Sequence, residues 1–189
     1  MLTDTSAAEK LKAVFADAVL EVSEAHGEVT VVISRDGLVE VCHFLKHDPN
    51  LRYDLLMDIA GVDYLGREPR FEVVYHLYSV PHNRRLRVKV RLPESDPVVP
   101  SVTFVWRTAN WHEREAFDMM GIRFMDHPDL RRIYMPDDYP GLPLRKDFPA
   151  LGPDVEVDPR HNVRTLHQAP PPFISKIWRK GDIRGKSTD

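Results

Sequence analysis

The 189-residue chain (21.8 kDa) is 42% hydrophobic and 29% charged, the size and balance of one globular core with a modest extension. Its 26 Lys and Arg against 29 Asp and Glu give a formal charge of -3, so no overall basic field gathers nucleic acid or an anionic membrane. The single Cys42 excludes an internal disulfide and Cys-rich zinc or iron–sulfur frameworks and points to a reducing, intracellular location; no apolar run approaches the roughly 20 residues of a membrane helix, and no signal peptide is evident.

Leu11, Val14, Phe15, Ala18, Val19 and Val22 recur at helical spacing, and Ser6 with Glu9 matches a capping box, which predicts a first amphipathic helix over residues 7–25 ended by Gly27. The β-branched run Val29 to Ile33 reads as a buried strand, and Asp36 as the cap of a second helix carrying Leu38, Val41, Cys42 and Leu45 ahead of Pro49. Three strands follow near 53–60, 71–79 and 84–92, joined by turn-like clusters at Gly61 to Gly66 and Pro81-His82-Asn83. In the last of them Leu86, Val88, Val90 and Leu92 alternate with Arg85, Arg87, Lys89 and Arg91, so one face is apolar and the other cationic. After a proline-rich crossover, Val102 to Trp106 reads as a fifth strand leading into a helix over Trp111 to Met120, with Gly121 at its end. Residues 1–121 are therefore expected to form an α+β domain, a mixed or antiparallel sheet of about five strands with helices packed on it.

Beyond Gly121 the period disappears, and ten of the 16 prolines lie between Pro128 and Pro172. Apolar residues nonetheless recur, from Phe124, Leu130 and Tyr134 to Leu144, Phe148, Phe173 and Trp178. Aperiodic chain of this length is expected to gain order by lying against something else, so residues 122–189 are read as an extended Pro-rich docking arm and tail, its basic end after Phe173 left open.

Chemistry concentrates in Asn110-Trp111-His112-Glu113-Arg114-Glu115-Ala116-Phe117-Asp118. On a helical projection Glu113 falls inside the apolar stripe of Ala109, Ala116, Phe117 and Met120, whereas Trp111, Arg114, Glu115 and Asp118 lie around the other side. Glu113 is read structurally, in a capping box with Asn110 or buried with an arginine partner, ahead of a general acid or base. Arg114 and Asp118 have the spacing of a surface ion pair. His43 and His47 are four apart but lack further ligands for zinc. The strings His127-Pro128-Asp129-Leu130-Arg131-Arg132-Ile133 and Pro143-Leu144-Arg145-Lys146-Asp147-Phe148-Pro149 combine stiffening prolines, guanidinium groups and apolar anchors, the composition of a docking strap; the alternative is that these arginines pair with nearby aspartates and pin the arm to its own domain.

The order of Ser101-Val102-Thr103, the Asn110 to Glu115 run with Phe117-Asp118-Met119 and Gly121-Ile122, and the two arm strings resembles the 30-kDa subunit family of the proton-pumping NADH:quinone oxidoreductase, respiratory complex I. The similarity extends back to Leu56-Met57-Asp58 and Gly61-Val62-Asp63-Tyr64 and covers about residues 51–150; Met120, Tyr139 and Leu142 depart from the usual pattern. The resemblance implies a scaffolding α+β subunit of the hydrophilic arm, without a catalytic, cofactor or metal site of its own. FMN, iron–sulfur clusters and quinone would sit on other subunits, and this one would dock on the quinone-site subunit, peripheral on the cytoplasmic side of a bacterial inner membrane. The motif and interface residues it implies are Trp111, Glu113, Arg114, Glu115, Asp118, His127, Pro128, Leu130, Arg131, Arg132, Pro143, Leu144, Arg145, Lys146 and Asp147. The rival readings are a stand-alone acid–base enzyme built on His112, Glu113, Glu115 and Asp118, an RNA-binding module using the Arg85 to Arg91 face, and the equivalent subunit of a membrane-bound hydrogenase-type complex.

Overall fold

The computed structural model describes residues 4–150, Gly152, 157–158 and 163–164. The chain runs α1 (Asp4–Val14), β1 (Val19–Ala25), β2 (Glu28–Ile33), α2 (Leu38–His47), β3 (Leu55–Asp63), β4 (Phe71–Ser79), β5 (Arg84–Leu92), β6 (Val98–Pro100), α3 (Ala109–Met120) and β7 (Arg123–Met125). Residues Met1–Ala150 form one compact unit, which runs past the boundary at 121 drawn from the sequence. In the second unit, Leu151–Asp189, the two-residue strands β8 (Val157–Asp158) and β9 (Val163–Arg164) pair antiparallel. Phe173, Trp178 and the basic end lie outside the described residues.

The main sheet has the order β1-β2-β5-β4-β3, antiparallel throughout except where β2 meets β5. Its register follows from side-chain alternation. Ile33, Val90 and Val73 form one row, Val31, Val88, Tyr75 and Ile59 the next, and Leu86, Leu77 and Leu56 a third, all buried. Ala7, Ala8 and Leu11 of α1 and Leu38, Val41, Cys42 and Leu45 of α2 join the same core. Each fully buried aliphatic side chain contributes about 1.5–3 kcal/mol relative to exposure.

Four expectations change, the first at the end of β3, which runs on through Gly61 to Asp63 in place of the predicted turn. The helix predicted over residues 7–25 stops at Val14, and its second half is β1. Helical spacing placed Val19 and Val22 on one face, but a turn at Phe15 to Ala18 redirects the chain, and His26-Gly27, both with positive φ, closes a two-residue hairpin onto β2. The opening is therefore α-β-β-α. Asp36 caps nothing: Gly37 stands at the start of α2, without a side-chain cap, and the Asp36 carboxylate is in solvent. Val102 to Trp106 is a turn, with the Val105 and Trp106 amides donating to Val102 O (2.9 Å each). The strand lies just upstream, inside the proline-rich crossover, where β6 pairs parallel with β7 and brackets α3.

Helix α3 packs on edge strand β3, and Gly61 permits the approach. A Cβ there would sit 2.6 Å from Met120 Sδ and 3.2 Å from Ile122 Cδ1. Gly61→Val should cost about 1–3 kcal/mol in urea unfolding through overpacking; an unchanged midpoint would contradict this contact.

Candidate functional site

Helix α3 works on two sides. Toward the core, Glu113 is fully buried without a cation. Its Oε1 accepts from the Val102 amide (2.8 Å) and its Oε2 from Ser101 Oγ (2.7 Å), which also bonds Thr103 Oγ1 (2.8 Å). Neither the expected capping box with Asn110 nor an arginine partner forms, because the 101–103 turn meets this carboxylate with its own donors. Burial pushes the Glu113 carboxyl up to about 7, against the lowering pull of Ser101 and Val102.

The arm begins at this buried group. The Asp129 amide donates to His127 Nδ1 (3.0 Å), which assigns the ring proton to Nε2, and Nε2 donates to Asn110 O (3.2 Å). Burial lowers the His127 pKa, and Nε2 lies 4.0 Å from Glu113 Oε2. Further along, Arg114 Nε and Nη2 donate to the carbonyls of Arg131 and Arg132 (3.1 Å each). Asp118 Oδ2 accepts three successive amides, from Ile133 (2.9 Å), Tyr134 (2.7 Å) and Met135 (2.9 Å). Arg114 and Asp118 are thus both buried under the arm and are not the surface pair their spacing suggested. Arg132 lies 3.5 Å from Asp118 Oδ1 and donates to the carbonyls of Tyr139 (3.1 Å) and Gly141 (3.0 Å), which folds the loop between them.

A second anchorage follows. Leu144 N donates to Met119 O (3.1 Å), and Arg145 Nε to Met120 O (2.8 Å), so the arm takes up open carbonyls at the end of α3. Gly121 has φ +76, and a Cβ there would meet Leu142 Cδ1 at 2.6 Å. The Lys146 amide donates to Asp63 Oδ2 (2.9 Å), while Arg70, also buried, grips Asp63 with two parallel bonds of 2.9 Å and reaches Asp147 (3.0 Å) and Glu94. Arg70 holds the Asp63 carboxyl at about 2 and lowers that of Asp147. Arg70 and Arg145 each lie 4.9 Å from the centre of the Phe71 ring.

Of the apolar anchors in the two arm strings only Leu144 stays outside, with Phe104, Trp111 and Tyr134 beside it, whereas Leu130, Ile133 and Phe148 are half-buried. Phe104 is 80% exposed, Trp111 61%, Tyr134 60% and Leu144 54%; the Arg114 guanidinium covers one side of the Trp111 ring at 5.2 Å. Leu130 is half-buried against the core, Pro128 is exposed, Pro143 and Glu115 are half-buried, and Arg131 pairs with Asp129 (2.9 Å) at the surface. Sequence reasoning missed Arg70, Glu94 and the joint between Asp63 and Lys146. Its one readable signal is an acid and a base flanking the β3–β4 turn, closed by the Tyr64 amide donating to Arg70 O (2.8 Å).

The other candidates are accounted for in place. His43 and His47 stack on α2 at 4.1 Å, and no group of three or more metal-ligating side chains occurs among the described residues. The cationic face of β5 is matched by carboxylates: Arg87 meets Glu28, Lys89 meets Glu72 (3.1 Å) and Arg91 meets Glu21 (2.8 Å). No helix among the described residues is long and apolar enough to cross a membrane.

Residues 31–154 match the family described as the 30-kDa subunit of respiratory-chain NADH dehydrogenase. The chain belongs to this family. It is 53% identical to the corresponding NADH-quinone oxidoreductase subunit of Geotalea uraniireducens over 82% of this chain and 94% of that one, and 52% identical to its counterpart in Geobacter sulfurreducens over 82% and 96%. Among solved structures, a trypsin-resistant fragment of Nqo5 superposes with a TM-score of 0.56 at 36% identity, covering 65% of this chain and 96% of the fragment. A polypeptide of an archaeal membrane-bound sulfane sulfur reductase shares the fold, with a TM-score of 0.64 at 24% identity over 76% of this chain and 84% of that one. The family and the α+β architecture expected from the sequence are those found.

The buried Glu113 sets a pH dependence. A carboxyl whose pKa is higher folded than unfolded holds its proton preferentially in the fold, so its contribution is fully present below 4.5 and is lost as pH rises toward about 7. Glu113→Gln stays neutral throughout: its carbonyl accepts from the Val102 amide and its NH2 donates to Ser101 Oγ, whose hydroxyl turns to Thr103 Oγ1. Its stability relative to the parent should therefore rise by about 2 kcal/mol between pH 5 and pH 8 in urea titrations; a pH-independent difference would show that Glu113 is ionised normally.

Proposed function

We propose that this chain is a non-catalytic scaffolding subunit of the hydrophilic arm of NADH:quinone oxidoreductase. It supports electron transfer from NADH to quinone, coupled to proton translocation, by docking on the quinone-site subunit. Flavin, iron–sulfur clusters and quinone belong to the other subunits, and the chain is held peripherally at the cytoplasmic side of a bacterial inner membrane through the complex.

The identity of about half of the aligned residues to bacterial NADH-quinone oxidoreductase subunits of this family, over nearly their whole length, carries this reading. The site's geometry supports the scaffolding part of it. Two acids of the motif are engaged within the chain, Glu113 with the 101–103 turn and Asp118 Oδ2 with three arm amides, and both are fully buried, Asp118 Oδ1 facing Arg132 at 3.5 Å, so neither is exposed to a substrate. Four large apolar side chains remain outward, Phe104, Trp111, Tyr134 and Leu144, an anchor set suited to a protein interface. The acid–base enzyme lacks an accessible carboxylate among Glu113 and Asp118, and the RNA reading lacks unpaired charge on most of β5. The 24% identity to the sulfane sulfur reductase polypeptide, against 53% to the Geotalea NADH-quinone oxidoreductase subunit, favours the NADH-linked complex over other membrane complexes.

The two halves of the Leu144-Arg145 pair have different work: Leu144 points outward and Arg145 is bonded to α3. Leu144→Asp should weaken co-purification with the quinone-site subunit by about tenfold, the worth of one buried leucine, with an unchanged thermal midpoint. Arg145→Ala should lower the midpoint. Undiminished association and full quinone reductase activity in Leu144→Asp would overturn the docking assignment.

A further inference from the structure

The helices α1 and α2 join the core through one face of the main sheet, and at the end where β3 and β5 begin the opposite face is exposed among the described residues, at Leu55, Met57 and Arg85. There the register sets Leu55, Tyr78 and Arg85 side by side across three strands, with Asp58, His76 and Arg87 as the next row. Two clefts of about 220 and 680 Å³ meet on these rows and share Glu28, Met57 and Arg85.

The two sides of the groove differ in chemistry. On the β3 side a register shift between Leu56 and Asp58 leaves Met57 45% exposed and Leu55 41% exposed, the apolar side. Tyr78 floors the groove, its hydroxyl donating to Asn83 Oδ1 (2.7 Å). On the β5 side stands Arg85, two-thirds exposed. Its one carboxylate neighbour, Glu28, is 4.0 Å away and is already engaged by Arg87, which also donates to Thr30 Oγ1 (3.2 Å). The second acid of the groove, Asp58, faces His112 Nδ1 on α3 (3.2 Å). Among the described residues the Arg85 guanidinium thus has no ligand within hydrogen-bonding distance, whereas Arg87, Lys89 and Arg91 on the same face of β5 each hold a carboxylate. Strand addition is not the mode of use at this end, because the Leu56 carbonyl on the β3 edge accepts from Thr108 Oγ1 (3.4 Å).

We infer that this groove is a second docking surface, separate from the arm, which takes a peptide segment of a neighbouring subunit that presents a carboxylate to Arg85 beside an apolar side chain seated on Leu55, Met57 and Tyr78. The inference rests on the chain being a subunit of a larger assembly. A planar fork with free donors recognises a carboxylate bidentately, and the adjacent apolar floor supplies burial that excludes water from the pair.

The test compares the free full-length chain with the purified NADH:quinone oxidoreductase that contains it. Both are treated with phenylglyoxal, and the Arg85 adduct is quantified by mass spectrometry against the denatured complex as full reaction. Arg85 should react readily in the free chain and at least about tenfold more slowly in the complex, as expected for a guanidinium held in a charge-assisted pair. Arg85→Glu should lower retention of the chain in the complex by a similar factor, with an unchanged thermal midpoint for the free chain. Equal reactivity of Arg85 in both states, in a complex that demonstrably contains the chain, overturns the groove while leaving the scaffolding reading intact. Failure of the chain to co-purify with the complex at all overturns that reading instead.

Discussion

The molecule depends on one carboxylate taking the place of a partner strand. Residues 131–135 follow no regular secondary structure, yet their amides and carbonyls must find partners or remain solvated. Asp118 gathers three consecutive amides on a single oxygen, and Arg114, one helical turn earlier, takes the two carbonyls just before them. An N–H to a charged acceptor is worth more than a neutral pair, and three converging on one buried oxygen cannot be released singly. Arg132 and Arg145 extend the same logic to the carbonyls of the next loop and of the end of α3.

This arrangement inverts the usual division of labour between charge and grease. Along the arm, Arg132, Arg145 and Asp147 reach into the chain's own domain, Asp147 through the buried Arg70–Asp63 pair, while Tyr134 and Leu144 face outward. A segment ordered in advance by its own domain presents apolar anchors without a large ordering cost at the moment of association. The motif's polarity is therefore structural, and the apolar surface left open beside it is carried by residues that look ordinary in the motif. At the open end of the sheet, Arg85, two-thirds exposed and without a hydrogen-bonded partner among the described residues, is likewise an outward-looking group.

Much of this is legible in the chain alone. β4 and β5 announce themselves because their period of two is uninterrupted and Pro81-His82-Asn83 marks the turn between them, and α3 because Gly121 marks its end; β3 is found but cut short, since Gly61, read as the start of a turn, lies inside the strand. β1 is hidden because Val19 and Val22, three apart, satisfy a helical template as well as a mostly exposed edge strand does, and only the His26-Gly27 turn distinguishes them. Arg114 and Asp118 are located but misjudged: helical spacing shows that two side chains share a face, and not what covers that face. Arg70 escapes notice because its importance lies in meeting Asp147, a contact across 77 positions that no local pattern encodes.

The central claim, that α3 binds the arm's backbone within the lone chain, is tested most directly by amide hydrogen exchange on the isolated protein. The amides of Ile133, Tyr134, Met135 and Lys146 should be strongly protected in the parent, and Asp118→Ala should release the first three while leaving Lys146, which is held by Asp63, protected. Exchange of residues 133–135 at the rate of an unstructured peptide in the parent chain would contradict the account.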